Sequence, residues 1–519
     1  MTATLGLIPV PARVRRRATA FELGPRSEIQ TFGEGADVVG QHLAELLRPA
    51  TGFALPVSAE GAAGPSPAVA PGTITLALVD AASDDRVEVV GTGPAGDRWA
   101  ADPEGYRLDV DALIVLRASA AAGLFRGIQT LRQLLPAAVE RADVQPGPWL
   151  VPGASIEDWP RLPYRGLMLD VARRFLSMAE VKHLTELAAR YKLNHLHLHL
   201  TDDQGWRIAV DSWPRLARYG GGTEVGEGPG GFYAKADYRE IVRYAQARHI
   251  TVVPEVDVPG HTNAALAAYP ELTCDGAAPA RYRGIDVGFS ALCAANPLTY
   301  RFLDEVFGEL AALTPGPYLH IGGDEALTLP AADYAAIVDH AHNAVRTSGK
   351  QVIGWHETAG LSRPPQVLQY WGVTPRAPAV LAAAAAGAKV IMSPGDRAYL
   401  DMKYDQDSRL GLSWAGYLPV NAAYDWDPAG HLPGLAGDAV LGLEALLWTE
   451  TVHGVADLEY LAFPRLPALA ELGWSAASGH GWPGFRQRLA AQAPRWAALG
   501  LSYFAAPDVP WLVPGDGSR

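Results

Sequence analysis

From Tyr164 onward, short apolar segments alternate with stretches of helical periodicity, and that alternation constrains the fold more than any other feature of this 519-residue chain. Candidate strands fall at 166–170, 195–200, 251–255, 318–321, 352–355, 367–371, 390–392 and 441–447. Between them, Leu184, Leu187, Ala188 and Tyr191 share one face of a candidate helix, and Phe302, Val306, Leu310 and Leu313 share a face of another. Eight such strand-helix units predict a parallel (β/α)8 TIM barrel, a fold that keeps its chemistry at the carboxyl ends of its strands. Polar and aromatic residues collect at those ends: Asp170 and Arg173, Asp202, Asp257 and His261, Asp324 and Glu325, Trp355, Trp371, Tyr399 and Asp401, Trp448 and Glu450.

The length exceeds one ordinary core, so a second domain is expected. Residues 1–150 read as a smaller α+β domain and 151–519 as the barrel. In the first, 74–79 and 106–117 look like strands, and Leu124, Ile128, Leu131 and Leu135 recur at helical spacing. The Gly-, Pro- and Ala-rich residues 61–72 read as a loop. Nothing in this domain has the character of a catalytic site.

A net charge of -13 offers no basic footprint for nucleic acid or an anionic membrane surface. The longest apolar run, 377–388, is too short to span a bilayer. The basic cluster Arg13, Arg15, Arg16 and Arg17 follows the apolar residues 5–8, the reverse of the order in a secretory signal, so a cytoplasmic location is expected, with secretion the alternative. Cys274 and Cys293 could close one loop, worth about 3 kcal/mol if oxidised, or remain two buried thiols.

At the end of the fourth candidate strand, Tyr318-Leu319-His320-Ile321 runs into Gly322-Gly323 and then presents Asp324 and Glu325. Paired carboxylates suit cleavage of a glycosidic bond, in which one acid protonates the leaving oxygen while another group manages charge at the anomeric carbon. Tryptophan usage agrees. Trp99, Trp149 and Trp159 precede residue 160, so eleven of the fourteen tryptophans follow it, several at strand ends beside acids. Flat aromatic walls with a few carboxylates and an Arg match the apolar face and hydroxyl rim of a sugar. The run His195-Leu196-His197-Leu198-His199-Leu200 puts three imidazoles on one strand face, where a metal or structural hydrogen bonding could use them; the latter is expected, with no metal and no cofactor. His261 lies in a loop within reach of Asp202 and Glu325, where it could tune an acid.

The segments Asp170-Val171-Ala172-Arg173, His197-Leu198-His199-Leu200-Thr201-Asp202, Pro254-Glu255-Val256-Asp257-Val258-Pro259-Gly260-His261, Gly322-Gly323-Asp324-Glu325, Gly354-Trp355, Tyr399-Leu400-Asp401 and Leu447-Trp448-Thr449-Glu450 resemble those of the β-N-acetylhexosaminidases of glycoside hydrolase family 20. The resemblance implies an exo-acting, retaining enzyme that removes terminal β-linked N-acetylglucosamine or N-acetylgalactosamine from glycans or chitooligosaccharides. The substrate's own acetamido oxygen would act as nucleophile, through an oxazolinium ion. It further implies Glu325 as general acid and base and Asp324 as the group that orients and stabilises the acetamido nitrogen. Tyr399 would bond the acetamido oxygen, while Trp355, Trp371, Trp414 and Trp448 line the sugar pocket. Arg173, Asp401 and Glu450 would grip hydroxyls, and Asp202 and His261 would act on Glu325. Arg174 departs from the family's usual His after the sugar-binding Arg, and Ala326-Leu327 replace bulkier or polar residues after the acid pair.

Overall fold

The computed structural model describes residues 5–60, 72–79 and 98–512. The chain divides into two compact units: Met1–Arg161 with Arg190–Lys192 and Ala470–Arg519, and Leu162–Ala189 with Leu193–Leu469. Residues 151–161 and 470–519, expected with the barrel, therefore group with the first unit. Strand pairing explains the former: Ala154–Asp158 runs antiparallel beside Tyr106–Val110 in the first unit's sheet. Side-chain bonding explains the latter, since the Trp474 indole N–H donates to Asp158 at 3.0 Å.

The first unit is α+β. Its sheet has seven strands in the order Arg13–Arg16, Ala154–Asp158, Tyr106–Val110, Ile114–Ala118, Thr73–Leu78, Glu28–Phe32 and Val57–Glu60. The expected strand at 106–117 is thus a tight antiparallel hairpin. Helices Ala36–Thr51 and Ala121–Leu134 turn their apolar stripes inward, burying Val39, Leu43 and Leu47 on one and Leu124, Ile128 and Leu131 on the other. Residues 61–71 of the expected loop lie outside the described residues.

The second unit is a closed barrel of eight parallel strands. They are β1 (Tyr164–Asp170), β2 (His195–His199), β3 (Thr251–Glu255), β4 (Tyr318–His320), β5 (Gln351–Trp355), β6 (Val367–Tyr370), β7 (Lys389–Met392) and β8 (Val440–Leu447). Each lies within two residues of the segment read from sequence. The helices between them follow the predicted faces. Met178–Arg190 opens with a Ser177 and Glu180 pair, in which Glu180 accepts from the Ser177 N–H at 2.7 Å, and buries Leu184, Leu187 and Ala188. Pro297–Leu313 starts at an Asn296 cap and buries Phe302, Val306, Leu310 and Leu313, each worth about 1.5–3 kcal/mol of transfer free energy.

The barrel interior is more polar than the usual layers of branched aliphatics. His197 donates to Glu444 at 2.8 Å, Glu444 also accepts from the Tyr164 hydroxyl at 2.5 Å and from Gln369 at 2.8 Å, and all are buried. A Cβ on Gly166 would fall 2.3 Å from Glu444 Oε2, so glycine there makes room for the carboxylate. His197 and His199 of β2 thus face carboxylates of other barrel strands, whereas His195 Nδ1 faces the Asn194 amide oxygen at 2.7 Å. Cys274 and Cys293 are joined in a disulfide. Among the described residues, no helix is long and apolar enough to cross a membrane.

Candidate active site

The turn after β4 sets the site. Gly322 and Gly323 adopt φ of +68° and +106°, and a Cβ at Gly322 would fall 1.7 Å from Asp257 Oδ1, so the chain can turn under the β3 loop only as glycine. The turn delivers Asp324 and Glu325 to the carboxyl end of the barrel, where Arg173, Trp371, Tyr399, Asp401, Trp414, Trp448 and Glu450 line the same cavity of about 360 Å³. Ile285, Val287 and Leu412 complete its wall. Nine of the twelve residues singled out from sequence therefore line one cavity. Trp355 is buried in the aromatic and aliphatic cluster behind it, with Tyr399 and Trp448. Trp414 is half exposed and packs edge-on against both Trp371 and Tyr399.

Asp202 and His261 lie behind the acids. Asp202 Oδ2 accepts from Arg173 Nη1 at 2.8 Å and faces His199 Nε2 at 3.0 Å, while Oδ1 faces His261 Nδ1 at 3.3 Å. Burial works against its charge, yet Arg173 and His261 hold the carboxyl well below the ordinary range. His261 Nε2 lies 3.7 Å from Asp324 Oδ2 and 3.4 Å from Glu325 Oε2. Burial opposes the imidazolium, but Asp202 and Asp324 overcome it and raise the His261 pKa well above its usual value. Both His261 and Glu325 carry positive φ, +52° and +44°, a strain of about 1–2 kcal/mol each that the surrounding contacts must offset.

Several carboxyls around the pocket hold protons more tightly than usual, Asp324 among them, whose pKa burial raises against the pull of His261. Asp257 accepts from the Gly323 N–H at 3.0 Å and lies beside Asp324; burial, then the charge of Asp324, pushes its pKa well up. Burial followed by Glu450 does the same for Asp401, and burial pushes Glu450 up to about 7 against the pull of Arg173. A carboxyl held neutral offers a donor as well as an acceptor to a sugar hydroxyl. The Tyr399 phenol is also raised by burial and by nearby acids, so it remains a donor.

Sequence reasoning missed Glu357 and the weight of Asp257. Glu357 accepts from the Trp371 indole N–H at 3.2 Å, and burial and Asp324 push its pKa up to about 8. The available signal was an acid two residues beyond Trp355 at a strand end. Of the two departures, Arg174 pairs with Glu224 at 2.8 Å, and Leu327 is exposed.

An eight-stranded parallel barrel whose catalytic face carries adjacent carboxylates beneath a tryptophan-walled cavity defines a glycoside hydrolase. The family model for glycosyl hydrolase family 20, catalytic domain, matches residues 162–331 and 331–477, and that for glycosyl hydrolase family 20, domain 2, matches 4–159. The chain belongs to glycosyl hydrolase family 20. It is 46% identical over 427 residues to a β-N-acetylhexosaminidase of Cellulomonas fimi, covering 82% of this chain and 83% of that one. The structure of the family 20 β-N-acetylhexosaminidase of Streptomyces coelicolor A3(2) superposes with a TM-score of 0.90 at 52% identity, over 98% of this chain and 99% of that one. A mutant Streptomyces plicatus β-hexosaminidase solved in complex with its product N-acetylglucosamine gives 0.90 at 53% identity, over 98% of each chain.

Proposed function

We propose that this chain is a retaining exo-β-N-acetylhexosaminidase that releases terminal β-linked N-acetylglucosamine or N-acetylgalactosamine from glycans or chitooligosaccharides, with the substrate's acetamido oxygen as nucleophile. One observation carries the reading: a single imidazole nitrogen, His261 Nε2, faces Asp324 at 3.7 Å and Glu325 at 3.4 Å. Two carboxylates that converge on one nitrogen share a side of the pocket. Adjacent in the chain and turned to one nitrogen, they face the same way and not each other across a glycosidic bond, as the acid and nucleophile of conventional retaining enzymes do.

In this reading Glu325 protonates the leaving oxygen and then, as carboxylate, takes a proton from the water that opens the oxazolinium. Asp324, whose charge His261 and the proton on Asp257 favour against burial, accepts from the acetamido N–H and stabilises the positive charge that grows there as the ring closes. Tyr399 donates to the acetamido oxygen and aims it at the anomeric carbon. Trp371, Trp414 and Trp448 supply the apolar walls, with Trp355 packed behind them, and Arg173, Asp401 and Glu450 hold ring hydroxyls. Asp202 fixes His261 so that its Nε2–H serves Glu325. The disulfide favours the secreted alternative over a cytoplasmic location, because such bridges persist in oxidising compartments.

Rates on p-nitrophenyl β-glycosides of N-acetylglucosamine, N-acetylgalactosamine and glucose test the proposal. Cleavage of the two acetamido sugars, with competitive inhibition by the thiazoline analogue of N-acetylglucosamine, is expected. Efficient glucoside cleavage, or a covalent adduct with a 2-fluoro sugar by intact mass, would replace it with a carboxylate-nucleophile mechanism.

A further inference from the structure

Acids and imidazoles alternate in one line of close approaches from the barrel interior to Glu325. Glu444 faces His197 Nδ1 at 2.8 Å, and His197 Nε2 faces Glu255 at 3.0 Å. Glu255 then faces His199 Nδ1 at 2.5 Å, and His199 Nε2 faces Asp202 at 3.0 Å. The line continues through His261 to Glu325. His199 has a carboxylate bonded at each ring nitrogen, so both nitrogens donate and the ring is imidazolium, while His197 bonds Glu444 through Nδ1 and faces Glu255 with Nε2. Their pKa values agree: burial opposes the charge, but the flanking carboxylates raise them to about 9 and about 10. His320 differs, since its Nδ1 accepts from the Gly322 N–H at 3.0 Å and burial lowers its pKa.

We propose that His199 is a positioning residue for the proton transfers of Glu325, acting by donating from Nε2 to Asp202 Oδ2 and thereby keeping Asp202 Oδ1 aimed at His261. This rests on the reading of Glu325 as the acid. Asp202 Oδ2 has two partners, Arg173 and His199. Arg173 lines the sugar cavity and is shared with any ligand there, whereas His199 is buried with no face on the cavity. Around His199 stand Glu255, Asp202, the Arg173 guanidinium at 3.3 Å and the Trp448 ring at 5.0 Å, so every direction is occupied. A partner that neither meets ligand nor can turn is the one able to hold Asp202 through a catalytic cycle. Two histidines of the β2 run then divide the work: His197 completes the interior network, and His199 transmits its rigidity to the acid.

Two amide substitutions separate this role from plain packing. In His199→Gln the amide nitrogen reaches the Nε2 position and keeps the bond to Asp202; in His199→Asn it stays near Nδ1 and keeps only the bond to Glu255. The rate kcat/KM is measured on N,N'-diacetylchitobiose, whose leaving group needs protonation, and on the 2,4-dinitrophenyl glycoside of N-acetylglucosamine, whose leaving group does not, with melting temperatures for both variants. His199→Asn is expected to lose about 10-fold more on the first substrate than on the second, while His199→Gln keeps the wild-type ratio. Equal losses on both substrates, or the same ratio in both variants, overturn the proposal. Should His199→Asn fail to fold, His199→Gln decides alone, and a ratio displaced about 10-fold refutes it. Glu325→Gln is run beside them. If it too shows no dependence on the leaving group, the assignment of Glu325 has failed; if it does and His199→Asn does not, only the role of His199 has failed.

Discussion

The proton on Asp257 predicts opposite fates for two substitutions of one buried residue. Asp257 is 1% exposed; one oxygen accepts from the Gly323 N–H at 3.0 Å, and the carboxyl lies beside that of Asp324. If it is neutral it accepts once and donates once. Asparagine does the same, with its amide oxygen towards Gly323 and its NH2 towards Asp324. Alanine does neither, leaving the buried Asp324 without a donor and the turn amide without an acceptor. A hydrogen bond to a charged group is worth about 1.5–3 kcal/mol, which corresponds to roughly 10- to 150-fold in rate if it is lost in the transition state. The assay is kcat on p-nitrophenyl N-acetylglucosaminide from pH 4 to 9. Asp257→Ala should lose that factor, and Asp257→Asn should stay within about 5-fold of the wild type. The sign of the pH effect follows from the raised pKa: the wild-type arrangement is intact at low pH and is lost as pH rises through the folded value, when a second negative charge forms beside Asp324. Asp257→Asn cannot ionise, so its activity should extend further into the alkaline range. If asparagine is as damaging as alanine, Asp257 works as an anion and the reasoning is wrong.

Asp324→Asn should lower kcat by on the order of 10²-fold or more, because it removes charge stabilisation at a preorganised site; near-normal turnover of the p-nitrophenyl substrate would refute its role. Glu357 should contribute an alkaline limb to kcat/KM near its pKa of about 8, where its ionisation brings another negative charge towards Asp324. That limb should be missing in Glu357→Gln, and its persistence would exclude Glu357 as its origin. In the first unit, Glu140 is buried against Arg132, Arg190 and Arg495, which outweigh burial and hold its pKa down at about 2 from 4.5. A depressed carboxyl stabilises above its unfolded pKa by about 3 kcal/mol for that shift, a contribution lost as pH falls towards the folded value. The melting temperature of Glu140→Gln should therefore lie below the wild type at pH 7, with the gap closing between pH 5 and pH 2; a pH-independent gap would assign the loss to packing.

The barrel was legible because its signal is local. A strand such as Thr251–Glu255 announces itself by a few apolar residues between helices with apolar stripes, and neither needs a distant partner to be recognised. Adjacency made Asp324 and Glu325 legible too, since two acids joined through one peptide bond behind two glycines reach the strand end together in any barrel. What the chain order could not show was the environment of each group. Asp257 and Glu357 read as ordinary acids until burial beside Asp324 changes what their protons do. His199 reads as one of three equivalent histidines until β3 places Glu255 at one ring nitrogen and the loop after β2 places Asp202 at the other. The carboxy-terminal residues 470–519 follow the barrel in sequence, yet Trp474 bonds to Asp158 in the first unit. Sequence by itself determined which chemistry the chain carries and the order of its strands, because residue type and local periodicity are written along the chain. Only the tertiary structure decided which carboxyls keep their protons and which imidazoles keep their charge, because those depend on desolvation and on partners tens to hundreds of residues away.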